Sequence, residues 1–438
     1  RALLRRGETY TDLGYYDEAL ADLNAALALE PGFVAALLGR SEALAELERY
    51  PEALADVNLA LNLQPADAEI LGRRGEMYRR MGQYRAALAD LDAALRLDPV
   101  NAWALASRGE THREMGRPET ALVDLNAALA IDPGDWWALV SRGQTLEELD
   151  RYEDALADYD AALEIAPDYL WARQRRAEAL AALGRYPEAL ADLGRVLTEE
   201  PDSVGALVQR SEVYVQLGRY DHALADLHQA LRLAPDDPWA LVGRARVLAL
   251  EGHLEEAVAD IDHALAGDEE DPWALGLRAE IMMTVGRFPQ ALVDLDRALA
   301  LEPGDTWLLA LRGEAHRRMG HLQRAMADLT ECLERNPSQV LAYAQRARVW
   351  SDLGQHELAI AYYGRALQLD PEYAWALAGR GAAHLALGRR DQGLADLNEA
   401  LRIDPQGARH FGAEFGIADA LRAVDPVLAA AFDPGEEE

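Results

Sequence analysis

The chain has 438 residues, half of them apolar, and a formal net charge of −33 at pH 7. All 43 basic residues are arginine, which excludes chemistry that requires a lysine, such as a Schiff base or the phosphate-binding lysine of a P-loop. Such an acidic surface repels phosphate backbones, and no apolar run approaches the length of a membrane span. We therefore expect neither a nucleic-acid partner nor membrane insertion.

Proline recurs every 34 residues along almost the whole chain, and we number each 34-residue unit so that this proline occupies position 32. The series is Pro31, Pro65, Pro99, Pro133, Pro167, Pro201, Pro235, Pro303, Pro337, Pro371 and Pro405. Its missing member falls at Glu269, three residues before Pro272. A period of this size is typical of stacked supersecondary units. It divides residues 1–407 into twelve repeats, with boundaries near residues 34, 68, 102, 136, 170, 204, 238, 272, 306, 340 and 374.

The same small residues recur inside each repeat. Position 8 is small, position 15 is glycine in ten repeats, position 20 is alanine in eleven and position 28 is leucine in all twelve. Apolar and small residues fall at helical spacing between positions 1 and 14, and again from about position 18 to position 30. The glycine ends the first helix and the proline stops the second. The pattern predicts two helices per repeat, whose backbones approach closely at the small residues.

This pattern of small residue, glycine, alanine and proline, repeated in register, resembles the tetratricopeptide repeat family. The resemblance implies an all-α fold, a right-handed superhelical solenoid of helix-turn-helix repeats, with a concave groove lined by the first helices. One departure from the family is at position 4, where a tryptophan is common. This chain has leucine there, as in Leu3 and Leu37, and carries its tryptophans at position 2.

The repeat pattern breaks after Pro405, so residues 408–438 form a separate C-terminal region. We expect a capping helix at about 413–432, kinked or divided at Pro426, that covers repeat 12. The acidic end, Glu436–Glu438, is expected to be a solvated tail. Repeat 1 shows no capping specialisation and lacks its first position, so we expect the chain to be a fragment of a longer protein.

Two charged positions recur with the same period. Position 7 is arginine in all twelve repeats, from Arg6 to Arg380, and position 23 is aspartate in eleven, from Asp22 to Asp396, with Tyr362 as the exception. A ladder for an anionic ligand would need only the arginines. Equal periodicity of both charges favours a structural ion pair between the two helices of a repeat, because a carboxylate matches the guanidinium fork.

Positions 2, 5 or 6, 9 and 13 share one face of the first helix, which is the candidate binding surface. One interpretation is a ladder of aromatic rings bordered by carboxylates, suited to a peptide or protein segment with apolar and basic residues. The other is that each ring only packs between neighbouring repeats, and the sequence leaves both open. The candidate residues at positions 2 and 9 are Trp103, Trp137, Trp171, Trp239, Trp273, Trp307, Trp375, Glu110, Glu178, Glu212 and Glu280.

Arginines interrupt this face in a few repeats only. A packing requirement would recur in every repeat, so these residues are candidates for binding specificity, with drift on a solvated surface as the alternative. They are expected to make the face basic in repeats 3, 4, 6 and 10. The candidates are Arg73, Arg79, Arg80, Arg113, Arg175 and Arg317.

The resemblance and the residues together predict a scaffold or sensor arm that binds a protein or peptide partner in the concave groove. We expect no enzyme activity, no catalytic residue, no metal and no cofactor, because no nucleophile motif, phosphate loop or ligand spacing is present. The expected setting is the cytoplasm of a bacterium. Two alternatives stay open: a self-assembly or intramolecular structural element, and a regulatory module of an enzyme whose catalytic domain lies outside this chain. The oligomeric state also stays open.

Overall fold

The computed structural model describes residues 1–267, 270–422 and 424–433, so the acidic end Glu436–Glu438 lies outside the described residues. The chain divides into two compact units, Arg1–Arg219 (unit 1) and Tyr220–Glu438 (unit 2). The helices of unit 1 are α1 (Ala2–Asp12), α2 (Tyr16–Leu29), α3 (Val34–Glu46), α4 (Tyr50–Leu63), α5 (Ala68–Arg80), α6 (Tyr84–Leu97), α7 (Ala102–Glu114), α8 (Pro118–Ile131), α9 (Trp136–Glu147), α10 (Tyr152–Ile165), α11 (Leu170–Ala182), α12 (Tyr186–Glu199) and α13 (Val204–Gln216). Those of unit 2 are α14 (Tyr220–Leu233), α15 (Pro238–Leu250), α16 (Leu254–Gly267), α17 (Pro272–Thr284), α18 (Phe288–Leu301), α19 (Thr306–Arg318), α20 (Leu322–Arg335), α21 (Val340–Asp352), α22 (His356–Leu369), α23 (Ala374–Ala386), α24 (Arg390–Ile403), α25 (Ala408–Phe415), α26 (Ile417–Leu421) and α27 (Pro426–Ala431).

The helices follow the 34-residue period. The first helix of an internal repeat typically covers positions 1 to 13 and the second covers positions 17 to 30, as in α3 and α4. Within each unit every repeat helix packs against the next along the chain, and first helices of successive repeats also touch, as α1 touches α3 and α19 touches α21. The predicted all-α solenoid of helix pairs is confirmed, with the second helix starting one residue earlier than expected.

The turn between the two helices depends on position 15. All ten glycines at this position have a left-handed backbone, with φ between 66° and 84°. The N–H of the following residue bonds back to a carbonyl five residues earlier, as from Tyr15 to Tyr10 at 2.8 Å, which closes the first helix. Glu48 and Asp150 adopt the same conformation, with φ of 58° and 56°, in the two repeats that lack the glycine.

The core of each repeat lies where its two helices come closest. A Cβ placed on Gly7 would lie 2.8 Å from Cγ of Leu23, and Gly75 stands in the same relation to Leu91. A side chain at position 8 must therefore be small, because the position-24 side chain already fills the space between the helices. The position-20 alanines, such as Ala19, are fully buried at the same contact.

The predicted ion pair between positions 7 and 23 is confirmed wherever the structure describes it. Each guanidinium donates two bonds to one aspartate, as from Arg108 to Asp124, with both distances at 2.7 Å. Where Tyr362 replaces the aspartate, the guanidinium of Arg346 lies 4.8 Å from the centre of the tyrosine ring. The pairs are Arg6–Asp22, Arg40–Asp56, Arg74–Asp90, Arg108–Asp124, Arg142–Asp158, Arg176–Asp192, Arg244–Asp260, Arg278–Asp294, Arg312–Asp328 and Arg380–Asp396.

The position-7 arginine also reaches the preceding repeat, which the sequence analysis did not anticipate. The remaining nitrogen, Nη1, donates to an Asn or Asp at position 25 of the previous second helix. Each such arginine therefore holds three helices in register. The bonds run from Arg40 to Asn24, Arg74 to Asn58, Arg108 to Asp92, Arg142 to Asn126, Arg176 to Asp160, Arg278 to Asp262 and Arg312 to Asp296.

The described part of the region after repeat 12 has three short helices, α25 to α27, where a capping helix kinked or divided at Pro426 was expected. Gly416 has a left-handed backbone, with φ of 64°, and ends α25. Pro426 begins α27, because a proline is tolerated in the first turn of a helix and breaks one elsewhere. The apolar side chains of these helices are buried together with residues of repeats 11 and 12; they are Phe411, Ile417, Leu421, Leu428 and Phe432.

The two acids that share Arg108 should differ in their contribution to stability. Asp124 is 6% exposed and accepts two bonds, whereas the side chain of Asp92 is half exposed and accepts one. We expect Asp124→Ala to lower the free energy of unfolding by about 2 kcal/mol and Asp92→Ala by less than about 1 kcal/mol. Urea unfolding of the full chain measures both, and equal losses would contradict the assignment.

Candidate functional site

We call the surface formed by positions 2, 5, 6, 9, 12 and 13 of the first helices the first-helix face. On it, arginines at position 12 are held by carboxylates from two repeats. Arg79 donates two bonds to Glu76, one turn earlier, and a third to Glu114 of the next repeat. The same arrangement places Arg113 between Glu110 and Glu148, and Arg317 between Glu314 and Asp352.

The other candidate arginines are paired as well, so the expectation of a basic face was wrong for repeats 3, 4 and 6. A glutamate three or four residues from an arginine lies one turn away on the same face, and a second acid reaches over from an adjacent repeat. The spacing within one helix is readable in the sequence. Arg73 pairs with Glu42 and Glu69, Arg80 with Glu46 and Glu76, and Arg175 with Glu147 and Glu178.

Desolvation and arginine charge act in opposite directions on these carboxyls. Desolvation alone would raise the pKa of Glu314, but hydrogen bonds and charge from Arg317 and Arg318 outweigh it, and the pKa lies below its ordinary value. For Glu147 desolvation outweighs the attraction of Arg175, and the pKa is raised. The ionised carboxylate is therefore favoured at Glu314 and disfavoured at Glu147.

Two of the candidate tryptophans pack between repeats. The ring of Trp103 covers Gly72 of the preceding repeat, where an added Cβ would lie 2.8 Å from the ring, and Trp307 covers Gly276 in the same way. Trp307 also contacts Trp273, with ring centres 4.8 Å apart. In both places the ring fits because position 5 is glycine and has no side chain. One side of each ring is therefore packed against the preceding repeat.

An open pocket of about 340 Å³ lies on the first-helix face of repeats 2 to 5. It brings together five of the predicted site residues. The sequence analysis missed Trp136, which stands at position 1, where other repeats have smaller side chains; its pairing with a second tryptophan was the available signal. The lining residues include Trp103, Trp136, Trp137, Met77, Glu42, Glu46, Glu76, Arg73, Arg79 and Arg80.

A second pocket, of about 450 Å³, lies where small residues replace the arginines of position 12 and position 13. In repeat 6 these positions hold Ala181 and Ala182, and the hollow they leave is bordered by Tyr152 and Tyr186. The predicted residues Glu178 and Glu212 line it. Trp171 lies outside this lining, 46% exposed, with the Arg175 guanidinium 5.9 Å from its ring.

The remaining predicted residues lie in unit 2, apart from both pockets. Trp239, on α15, is 66% exposed, and Glu280, on α17, is exposed. Trp375 is half-buried beneath Phe415 of α25, with ring centres 5.0 Å apart. Arg317 also contacts α25, because its guanidinium pairs with the carboxylate of Glu414.

Models of one repeat family match the chain along most of its length. Models described as tetratricopeptide repeat match residues 4–68, 40–108, 108–170, 146–211, 180–225, 214–281 and 308–339, and one described as TPR repeat matches residues 351–388. No match was found among curated protein sequences.

Several solved structures are similar to all or part of this chain. The crystal structure of the APC/C hetero-tetramer Cut9–Hcn1 aligns with 97% of this chain and 89% of its own, at 16% identity and a TM-score of 0.55, which shows a likeness of fold alone. A tetratricopeptide repeat protein from Parabacteroides merdae is 24% identical over 57% of this chain and 98% of its own, with a TM-score of 0.46. A thermophilic TPR protein from Thermus thermophilus is 28% identical over 42% of this chain and 98% of its own, with a TM-score of 0.39.

In the part of the chain that the structure describes, no helix has both the length and the hydropathy needed to cross a bilayer. No group of three or more His, Cys, Asp or Glu side chains is placed there to hold a metal ion.

The lowered pKa of Glu314 leads to a pH prediction. Its ionised form stabilises the fold above about pH 4.3, and this contribution is lost as the pH falls and the carboxyl is protonated. Glu314→Gln should therefore lower the unfolding free energy by about 1–3 kcal/mol at pH 7, with a gap from wild type that closes toward pH 3.

Urea titrations at several pH values measure this gap. Glu331→Gln, in the exposed pair with Arg335, is the matched control and should change stability by less than about 1 kcal/mol. A Glu314→Gln gap of constant size from pH 7 to pH 3 would contradict the assignment.

Proposed function

Since the chain belongs to the tetratricopeptide repeat family, we propose that it is a protein-interaction scaffold whose first-helix face in repeats 2 to 5 binds a peptide segment of a partner protein. The repeat fold is one that serves as a protein-interaction scaffold. What we propose for this chain is that the partner segment contacts the first-helix face of repeats 2 to 5. Affinity would come from a preformed surface, with little rearrangement of the backbone.

The tryptophan-lined pocket is the observation that carries this proposal. Trp103 and Trp136 are 39% and 37% exposed, and Trp137 stands beside them in the same pocket. Aromatic rings left partly open to water in a concave site are the anchors that dominate most protein interfaces, since they bury a large area and lose little side-chain entropy. Packing on Gly72 occupies one side of the Trp103 ring and leaves the pocket side for a ligand.

Charge selects the kind of segment that the pocket takes. Arginines and glutamates alternate on its rim, and every arginine there is already shared between two acids. Three arginines meet five glutamates in this network, so the network has a net negative charge, which comes from Glu69 and Glu114 beside the pocket lining. The proposed ligand is therefore an apolar or aromatic residue flanked by Arg or Lys. The network consists of Arg73, Arg79, Arg80, Glu42, Glu46, Glu69, Glu76 and Glu114.

The intramolecular alternative is favoured by a specific observation only in unit 2. There Phe415, from the C-terminal region of the same chain, covers Trp375. Part of the first-helix face is therefore occupied by a residue of the chain itself. The pocket in repeats 2 to 5 is lined by first-helix residues of those repeats alone, and the two faces therefore support different roles.

Selection from a random peptide library on the full chain tests the proposal. Enriched peptides should carry an aromatic residue beside Arg or Lys, and the double variant Trp136→Ala, Trp137→Ala should bind them at least 30-fold more weakly, about 2 kcal/mol. Trp239→Ala, at a more exposed tryptophan outside the pocket, is the matched control and should bind as the wild type does. Equal binding by the double variant, or enrichment of acidic peptides at this site, would contradict it.

A further inference from the structure

The end of α25 projects onto the first-helix face of repeats 10 and 11. The carboxylate of Glu414 lies 3.0 Å from Nη2 of Arg317 and 3.1 Å from Nη2 of Arg318, with Nε of Arg348 at 3.8 Å. The side chain of Glu414 is only 8% exposed. Three guanidinium groups from two repeats therefore surround one carboxylate, an arrangement suited to binding an acid.

The next residue, Phe415, packs against two aromatic rings. Its ring centre is 5.0 Å from that of Trp375 and 6.4 Å from that of Tyr363, and the guanidinium of Arg348 lies 4.7 Å from its ring. Arg348 thus contacts both residues of the pair, the acid through charge and the ring through its face. The two side chains occupy adjoining parts of one surface, as the side chains of a bound peptide would.

Comparison with repeat 3 shows why this surface needs an added acid. Arg80 and Arg318 occupy the same position in their repeats, and each pairs with the glutamate one turn earlier. Arg80 has a second acid, Glu46 of the preceding repeat, at 2.8 Å. The residue that corresponds to Glu46 next to repeat 10 is Thr284, which carries no charge. Glu414 therefore provides Arg318 with the second acid that the preceding repeat does not provide.

The residue at position 9 of the following repeat increases the difference in charge between the two surfaces. Repeat 4 has Glu110 there, beside its own Arg113, whereas repeat 11 has Arg348. The first-helix face of repeats 10 and 11 therefore has three arginines against two acids, Glu314 and Asp352, before α25 is added. Its charge preference is opposite to that of the pocket in repeats 2 to 5.

We infer that the first-helix face of repeats 10 to 12 is a peptide-binding site for an acidic residue followed by an aromatic one, filled in cis by Glu414 and Phe415. A partner segment with the same acid–aromatic chemistry would compete with this pair for the site. The inference does not rest on the proposed function of repeats 2 to 5, since it concerns other residues and another ligand. Gly416 separates the pair from α26 and α27, whose own buried side chains are not part of the site.

Opening the site by substitution tests this inference in the full chain. The probe is a fluorescent peptide with the sequence of residues 412–417, which leaves out Arg409 and Phe411, and its binding is followed by anisotropy. Glu414→Gln with Phe415→Ala should bind the peptide at least tenfold more tightly than the wild type, because a closed site lowers apparent affinity by its open fraction. A peptide with Gln in place of its Glu should lose this gain.

Arginine variants of the opened chain identify the surface. Arg318→Ala should reduce peptide binding at least tenfold, while Arg335→Ala, at a similarly exposed arginine on the second helix of repeat 10, should leave it unchanged. If the opened chain keeps its helical content and binds no tighter than the wild type, or binds the Gln peptide equally well, the inference is overturned and the pair is a structural cap only.

Hydrogen exchange on the wild type gives a second test, which decides the matter if the opened chain loses helix. Excess peptide should accelerate exchange of the amides of residues 408–415 at least threefold by displacing the pair. Unchanged exchange at peptide concentrations up to the millimolar range would overturn the inference.

Discussion

The close approach of two helix backbones within each repeat is the constraint on which the rest of the structure depends. A Cβ at Gly7 would already crowd Leu23, and Ala19 is completely buried at the same junction. Because this contact leaves little freedom in spacing, one repeat differs little from the next in its backbone. The first helices of neighbouring repeats are consequently placed side by side, and residues 31 to 35 apart in sequence, such as Arg79 and Glu114, meet on one face.

Periodic and aperiodic charges have different roles on this framework. The arginine at position 7 recurs in every repeat and typically binds an aspartate of its own second helix. In at least seven repeats it also binds an Asn or Asp of the preceding second helix, and these bonds fix the register of the stack. Charges that occur in only some repeats, such as Arg80 and Arg348, make the net charge of the first-helix face differ from one group of repeats to the next. Arg348 stands where repeat 4 has Glu110, and Thr284 stands where repeat 2 has Glu46, so the two stretches of the face differ in charge.

A tryptophan at position 2 can pack between repeats and still line a pocket. Trp103 packs one side of its ring on Gly72 and also lines the pocket of repeats 2 to 5, so packing does not exclude the partner contact that we propose. Trp375 shows the same surface with an occupant, the ring of Phe415. A ring held firmly by the neighbouring repeat is a rigid anchor and loses little entropy when a ligand covers it.

The sequence by itself determined the repeats, the two helices in each, the left-handed turn at position 15 and the Arg–Asp pair, because these follow from short-range periodicity. It also located five residues of the Trp103–Trp137 pocket. Only the tertiary structure decided that acids of adjacent repeats also pair with the arginines of the first-helix face, that Trp136 joins the pocket, and that Glu414 meets Arg317. Those contacts join different repeats, and Glu414 lies 97 residues from its partner. Spacing within one helix carries no information about which side chains neighbouring repeats bring together.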